Sequence, residues 1–178
     1  MIRGVILYGP PAAGKDTVTK ALTERDGRYA LFPRMKCGTG RTAGYRMVTR
    51  DELESVRRTE GVLWENSRYG ATYVVDAAYL HQMVAQGLFP VVHVGQPEAV
   101  TALHGAAGLR WLVVYLWCPR EEAARRAAER DTGDLSARLQ AWDETPALPS
   151  ADLEVNTANA TPDTAAAMID DALRSRSR

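Results

Sequence analysis

With 178 residues, 46% of them hydrophobic and 25% charged, the chain has the size and balance of one ordinary globular domain, which excludes a disordered or fibrous protein. Lys plus Arg and Asp plus Glu both number 22, so no overall field directs the chain to nucleic acid or an anionic membrane, and any anion site has to be local. Cys37 and Cys118 make neither a metal spacing nor a disulfide framework, no signal-peptide pattern opens the chain, and no apolar run is long enough for a bilayer; a cytoplasmic monomer or homodimer acting on small molecules is expected.

Residues Ile2 to Tyr8 are rich in β-branched and aliphatic side chains and read as a buried strand. The strand runs into Gly9-Pro10-Pro11-Ala12-Ala13-Gly14-Lys15-Asp16-Thr17 and then into a helix from Val18 to Arg25. Strand, glycine loop, lysine, helix is the context that turns a G-x-x-x-x-G-K match into a phosphate site. Gly9 and Gly14 allow a tight loop whose N–H groups converge, alongside Pro10, Ala12 and Ala13; the helix adds its unpaired N-terminal donors and Lys15 a full charge. Asp16 stands where a Ser or Thr ordinarily holds Mg²⁺, with Thr17 next. The carboxylate can ligate that ion or its waters, Thr17 can take the role after a small shift of the helix start, or Asp16 can simply favour the helix N-terminus.

Tyr29 to Phe32 reads as a second strand ending at Pro33. From Arg34 to Arg68 the composition shifts to Arg, Lys, Gly and Thr, too polar for core and too long for a plain connector, and such loops carry function. Within it, 51–58 is a short charged helix with Thr49 and Glu52 in capping-box positions, and Gly61 to Asn66 and Thr72 to Val75 are short strands around the Arg68-Tyr69-Gly70 turn. Helices at 76–86, 97–104, 121–130 and 135–142, the third of them arginine-rich and the last with Asp134 as its cap, alternate with strands at 89–95, 110–118 and 153–157. Thr161-Pro162-Asp163 opens a terminal helix, and Arg174 to Arg178 is expected to be a solvated end. Apolar strands alternating with helices predict an α/β fold with a five-stranded parallel sheet covered on both faces and ligands at the carboxyl ends of the strands.

The glycine loop, an Arg/Gly/Tyr insert near 34–47, a Tyr-Gly turn at Tyr69 and an arginine-rich segment near 126–138 together resemble the guanylate kinases over nearly the whole chain. The resemblance implies one P-loop kinase domain: a core of 1–33 and 76–178, an acceptor-binding insert of 34–75 and a lid near 126–138. It also implies ATP and Mg²⁺, and an acceptor that already carries a phosphate. Arg34, Arg41 and Tyr45 fall near the family's monophosphate-binding positions and Tyr69 on the tyrosine of its Tyr-Gly turn, while Arg126, Arg130 and Arg138 would close over ATP and meet charge on the transferred phosphoryl.

The departures concern the base. The family reads guanine with two glutamates, whereas this chain has Gly38-Thr39 at the first position and, near the second, Glu65 or Asn66 only after a register shift. An aspartate pair of the family is replaced by His93 and Gly95; His93 is read either as strand packing or as a substrate contact. The Gly14-Lys15-Asp16 step is also similar to that of the ribose bisphosphate phosphokinases of phosphonate metabolism, whose acceptor is not guanine-bearing. The leading expectation is therefore a nucleotide-type kinase that handles GMP poorly, with Trp64, Tyr69 and Tyr73 as stacking surface. Genuine GMP kinase activity, a non-catalytic binding module and an NTPase switch are the alternatives, the last disfavoured because no Asp-x-x-Gly follows a strand.

Overall fold

The computed structural model describes residues 4–59, 61–68, 70–105, 108–129 and 133–176. In chain order these form β1 (Gly4–Tyr8), α1 (Lys15–Arg25), β2 (Tyr29–Leu31), β3 (Met35–Gly38), β4 (Arg46–Met47), α2 (Arg50–Arg58), β5 (Val62–Arg68), β6 (Ala71–Asp76) and α3 (Ala77–Ala85). They continue as β7 (Phe89–Val94), α4 (Pro97–Gly105), β8 (Trp111–Trp117), α5 (Arg120–Glu129), α6 (Leu135–Asp143), β9 (Leu153–Asn156) and α7 (Pro162–Ser175).

The main sheet has five parallel strands in the order β2-β7-β1-β8-β9, as the alternation of apolar strands and helices predicts. β1 lies in the middle with every residue buried, Ile6 standing between Val92 and Val113. Because successive side chains leave opposite faces, Val5 and Leu7 pack with Val18 and Leu22 of α1 and Ile169 and Leu173 of α7. Ile6 and Tyr8 face the other way, onto Leu80 and Met83 of α3 and Leu103 of α4. The Tyr8 hydroxyl donates to Pro146 O at 2.6 Å, and burial pushes its pKa up to about 12. All five strands point their carboxyl ends the same way, so the turns after β1, β7 and β9 share one rim.

A second sheet, β4-β3-β6-β5, is built from the polar segment. Reading residues 34–46 as loop is corrected here: Met35–Gly38 pairs antiparallel with β6 and Arg46–Met47 pairs with β3. The polar side chains had hidden a strand whose charged face is turned to a cleft and not to solvent. Gly38 is required at its place, since a Cβ there would lie 2.7 Å from Cα of Ala71 and its φ is +135°.

Local chemistry fixes the starts of α2, α3 and α7. The Thr49–Glu52 capping box forms, with the Glu52 N–H donating to Thr49 Oγ1 at 3.2 Å and the Thr49 N–H to Glu52 Oε2 at 2.7 Å. Asp76 caps α3 by accepting the Tyr79 N–H at 2.9 Å, and Thr161 caps α7 by accepting the Thr164 N–H at 3.1 Å. Asp134 is not the side-chain cap expected for α6: its carboxylate accepts from Arg138 Nε at 2.7 Å instead, a charged bond that outcompetes a neutral amide. Nor is the C-terminal end merely solvated as far as Arg176, because Arg174 Nε donates to buried Asp170 at 3.0 Å and Arg176 pairs with Asp152; Ser177 and Arg178 lie outside the described residues. Among the described residues no helix is long and apolar enough to cross a membrane.

Candidate active site

The turn after β1 is held in a shape few residues adopt. A Cβ on Gly9 would fall 1.9 Å from the Leu116 carbonyl oxygen, so the chain passes against β8 only as glycine. Ala12 has φ +62° and Gly14 φ +91°, both left-handed. Left-handed residues within a turn direct successive N–H groups inward as an anion nest. The helix starts at Lys15, earlier than the apolar pattern from Val18 predicts, because the Val18 N–H already bonds Gly14 O at 2.9 Å. Lys15 Nζ lies across the loop mouth, donating to Gly9 O at 2.6 Å and Pro10 O at 2.8 Å.

Behind the loop stands a set of braces. Thr157 Oγ1, at the end of β9, donates to Ala13 O at 2.9 Å. Arg126 donates from Nη1 to Ala12 O at 3.3 Å and to Thr157 Oγ1 at 3.0 Å, from Nη2 to Thr157 O at 2.9 Å, and from Nε to Glu122 at 2.6 Å. The Arg126 guanidinium therefore grips the rear of the loop and does not line the cleft, whereas Arg138 does. Arg130 lies outside the described residues.

Asp16 and His93 meet at the cleft floor. Asp16 Oδ1 is 3.7 Å from His93 Nδ1, and its Oδ2 is 3.5 Å from Nη1 of Arg41. Thr19 Oγ1 donates to Lys15 O at 2.8 Å and contacts His93 Nε2 at 2.7 Å. With its only proton committed, Thr19 accepts, which assigns the imidazole proton to Nε2 and the lone pair to Nδ1. Burial first, then the Lys15 charge, pushes the His93 pKa far down, so the ring is neutral. Thr17 Oγ1 donates to Gly14 O at 2.8 Å and is not part of the cleft wall, in contrast to Asp16.

Across the cleft, of about 550 Å³, the second sheet presents cations on aromatic rings. Tyr45 and Tyr73 sit with ring centroids 5.4 Å apart. The Arg34 guanidinium lies 5.1 Å from the Tyr73 ring and 5.8 Å from that of Tyr45, and Lys36 Nζ lies 5.5 Å and 5.4 Å from the same two rings. Lys36 is only 2% exposed; its ammonium donates to Arg41 O at 2.8 Å, and burial followed by the Arg41 charge lowers its pKa. Arg68 Nη2 reaches Glu144 Oε2 at 3.3 Å, joining β5 to the end of α6.

The expected residues Arg34, Arg41, Tyr45 and His93 thus share one cleft with Lys15 and Asp16. Glu65 does not: its carboxylate pairs with Arg57 on the outer side of β5, while Asn66, one residue on and so on the opposite face, lines the cleft with Oδ1 buried and, among the described residues, without a partner. Tyr69 lies outside the described residues. Lys36 went unrecognised in the sequence because a loop has no faces; once Met35–Gly38 is a strand, the alternation Arg34, Lys36 against Met35, Cys37 marks it.

No protein-family model matches the chain, and no curated protein matches it in sequence. Solved structures do. A guanylate kinase from Anaplasma phagocytophilum superposes with a TM-score of 0.63 at 16% identity, covering 98% of this chain and 87% of that one. The protein APE1195 superposes at 0.58 with 17% identity, covering 98% and 97%. An unliganded sugar kinase from Janibacter sp. HTCC2649 superposes at 0.57 with 14% identity, covering 98% and 95%. At such identities the likeness is one of fold alone, an α/β fold with a five-stranded parallel sheet flanked by helices.

Proposed function

We propose that the protein is an ATP-dependent phosphotransferase that moves the γ-phosphoryl of ATP to a small acceptor already bearing a phosphate, most naturally a nucleotide or nucleotide-like metabolite. The observation that carries this reading is the facing pair: a nested glycine loop with its lysine on one wall, and Arg34 and Lys36 against Tyr45 and Tyr73 on the other, with Arg41 lining the same cleft. Phosphoryl transfer needs positioning and charge more than covalent chemistry, and two opposed anion sites supply both. In this reading Lys15 and the loop amides hold the donor phosphates, and Arg138, which lines the cleft, meets the charge developing on the transferred group. Arg126 acts through the loop it braces. The lid near 126–138 and the acceptor roles of Arg41 and Tyr45 belong to the same proposal.

The residues present fit Mg²⁺ through Asp16, a carboxylate at the cleft next to the loop. Among the described residues no group of three or more His, Cys, Asp and Glu could hold a metal, so the ion would draw its remaining ligands from phosphate and water. When bound it supplies neutralisation of the phosphate oxygens.

Guanine is a poor fit, since its N–H donors call for carboxylates and Glu65 is turned to Arg57. Each missing charged hydrogen bond is worth about 1.5–3 kcal/mol, so losing two costs GMP on the order of a hundredfold or more. Measuring ATP consumption on GMP, dGMP, UMP, CMP and sugar phosphates tests the reading. A phosphorylated acceptor other than GMP is expected to give the highest kcat/KM; no consumption with any member would instead favour a binding module, and efficient GMP turnover would overturn the argument about the base.

A further inference from the structure

Resting on that reading, the geometry points to Lys36 and Asn66 as the pair that selects the acceptor: a phosphate monoester whose anionic oxygens meet the Lys36 ammonium and whose remainder offers an N–H or O–H donor to Asn66 Oδ1. Among the described residues neither group has its full set of partners. Lys36 is buried to 2% exposure, has three N–H donors, and spends one on Arg41 O; among the described residues no carboxylate pairs with it. A buried ammonium without a counter-anion is retained against a desolvation penalty, and the direction of its pKa shift records that penalty. Asn66 Oδ1 is likewise buried and, among the described residues, has no donor. Both line the same cleft, so one ligand can satisfy both.

The sheet register sets the spacing. Lys36 stands opposite Tyr73 and Tyr73 opposite Asn66, so the three form one row across β3, β6 and β5. The outer two are two strand spacings apart, about 10 Å between backbones. A bare phosphate fills only the Lys36 end. A phosphate carried on a sugar with a further ring reaches both, with the Tyr73 ring between them as its contact surface.

The test uses the full chain, with calorimetric titration of inorganic phosphate, ribose 5-phosphate, UMP and GMP after the donor loop has been filled with AMP-PNP. Lys36→Met is expected to weaken every phosphate-bearing probe that binds by roughly tenfold or more, the size of one charge-assisted hydrogen bond, while AMP-PNP affinity stays unchanged. Asn66→Leu is expected to weaken UMP or GMP and to spare inorganic phosphate. Ligand-free Lys36→Met is expected to melt higher than the parent, because an uncompensated buried charge is gone; a lysine kept for the fold would give the opposite sign. Lys36→Gln is a second variant should the methionine protein fail to fold. Unchanged phosphate binding in both lysine variants, a lower melting temperature in both, or no probe binding to the parent would each overturn the proposal. Lys36-dependent binding without any ATP consumption would leave it standing and remove the kinase reading instead.

Discussion

Asp76→Asn isolates the joint between the two sheets. Asp76 is 2% exposed and does two things: Oδ1 caps α3 through the Tyr79 N–H at 2.9 Å, and Oδ2 pairs with Arg46 of β4. Arg46 in turn donates to Pro33 O at 2.9 Å and lies 4.1 Å over the Tyr79 ring. Asparagine caps as well as aspartate, so this substitution removes only the charge opposite Arg46. Breaking a fully buried pair costs about 3–5 kcal/mol. Because the Arg46 side chain keeps 25% of its surface exposed, solvent screening brings the cost below that range, to about 2–3 kcal/mol. For a chain of this size that lowers Tm by about 4–12 °C. Urea denaturation should show a lower midpoint at unchanged m. Asp76→Ala, which also loses the cap, should lose about 1 kcal/mol more. Combining Arg46→Met with Asp76→Asn should recover most of the loss, because no unpaired charge remains; a double variant no more stable than Asp76→Asn alone would refute the reasoning. Since β4 and α3 flank the cation–tyrosine wall, the single variant should also raise the acceptor KM and leave ATP affinity intact.

Lys15→Ala should keep the far-UV circular dichroism spectrum and lower kcat by about 100- to 1000-fold, as removal of one charge-stabilising donor does; near-parental turnover would mean that the loop is not the donor site. Arg41→Ala and Tyr45→Phe should raise the acceptor KM without changing ATP binding, and equal loss of both would place the second sheet on the wrong side of the cleft. Burial pushes the Asp170 pKa up, but hydrogen bonds from Tyr29, Arg174 and Arg25 outweigh it and the net shift is down. A depressed folded-state pKa gives stability that is complete above the unfolded value, near 3.9, and is lost as pH falls through the folded one. Asp170→Asn should therefore flatten the acid limb of stability against pH, and an unchanged limb would show that the network contributes nothing.

The main sheet was legible because its strands are apolar runs bounded by Gly, Pro and charge, and burial on both faces leaves few other ways to write them. The glycine loop was legible because its flanks were. The second sheet was legible by half: β5 and β6 read as strands, whereas β3 owes its form to the edge that β6 offers and β4 to that of β3, and their charged residues belong to a cleft that exists only after folding. Parity explains Glu65 and Asn66. One residue of register in a strand decides between the outer surface and the site, and spacing to a distant turn cannot resolve one residue. The Asp16–His93–Thr19 arrangement joins residues from α1 and β7 that nothing in linear order connects.

The bracing of the glycine loop by Arg126 and Thr157 bears on the entropy of nucleotide binding. A loop free to wander loses about 1–2 kcal/mol of conformational freedom per residue when a ligand orders it. Here Ala12 and Ala13 already have their carbonyls tied from behind, at 3.3 Å and 2.9 Å, before any phosphate arrives. The ordering cost has been met during folding, so binding to the loop begins with little left to freeze. Loosening Thr157, which touches no cleft surface, would return that freedom to the loop, and calorimetry would register weaker donor binding as a less favourable entropy with the enthalpy nearly unchanged.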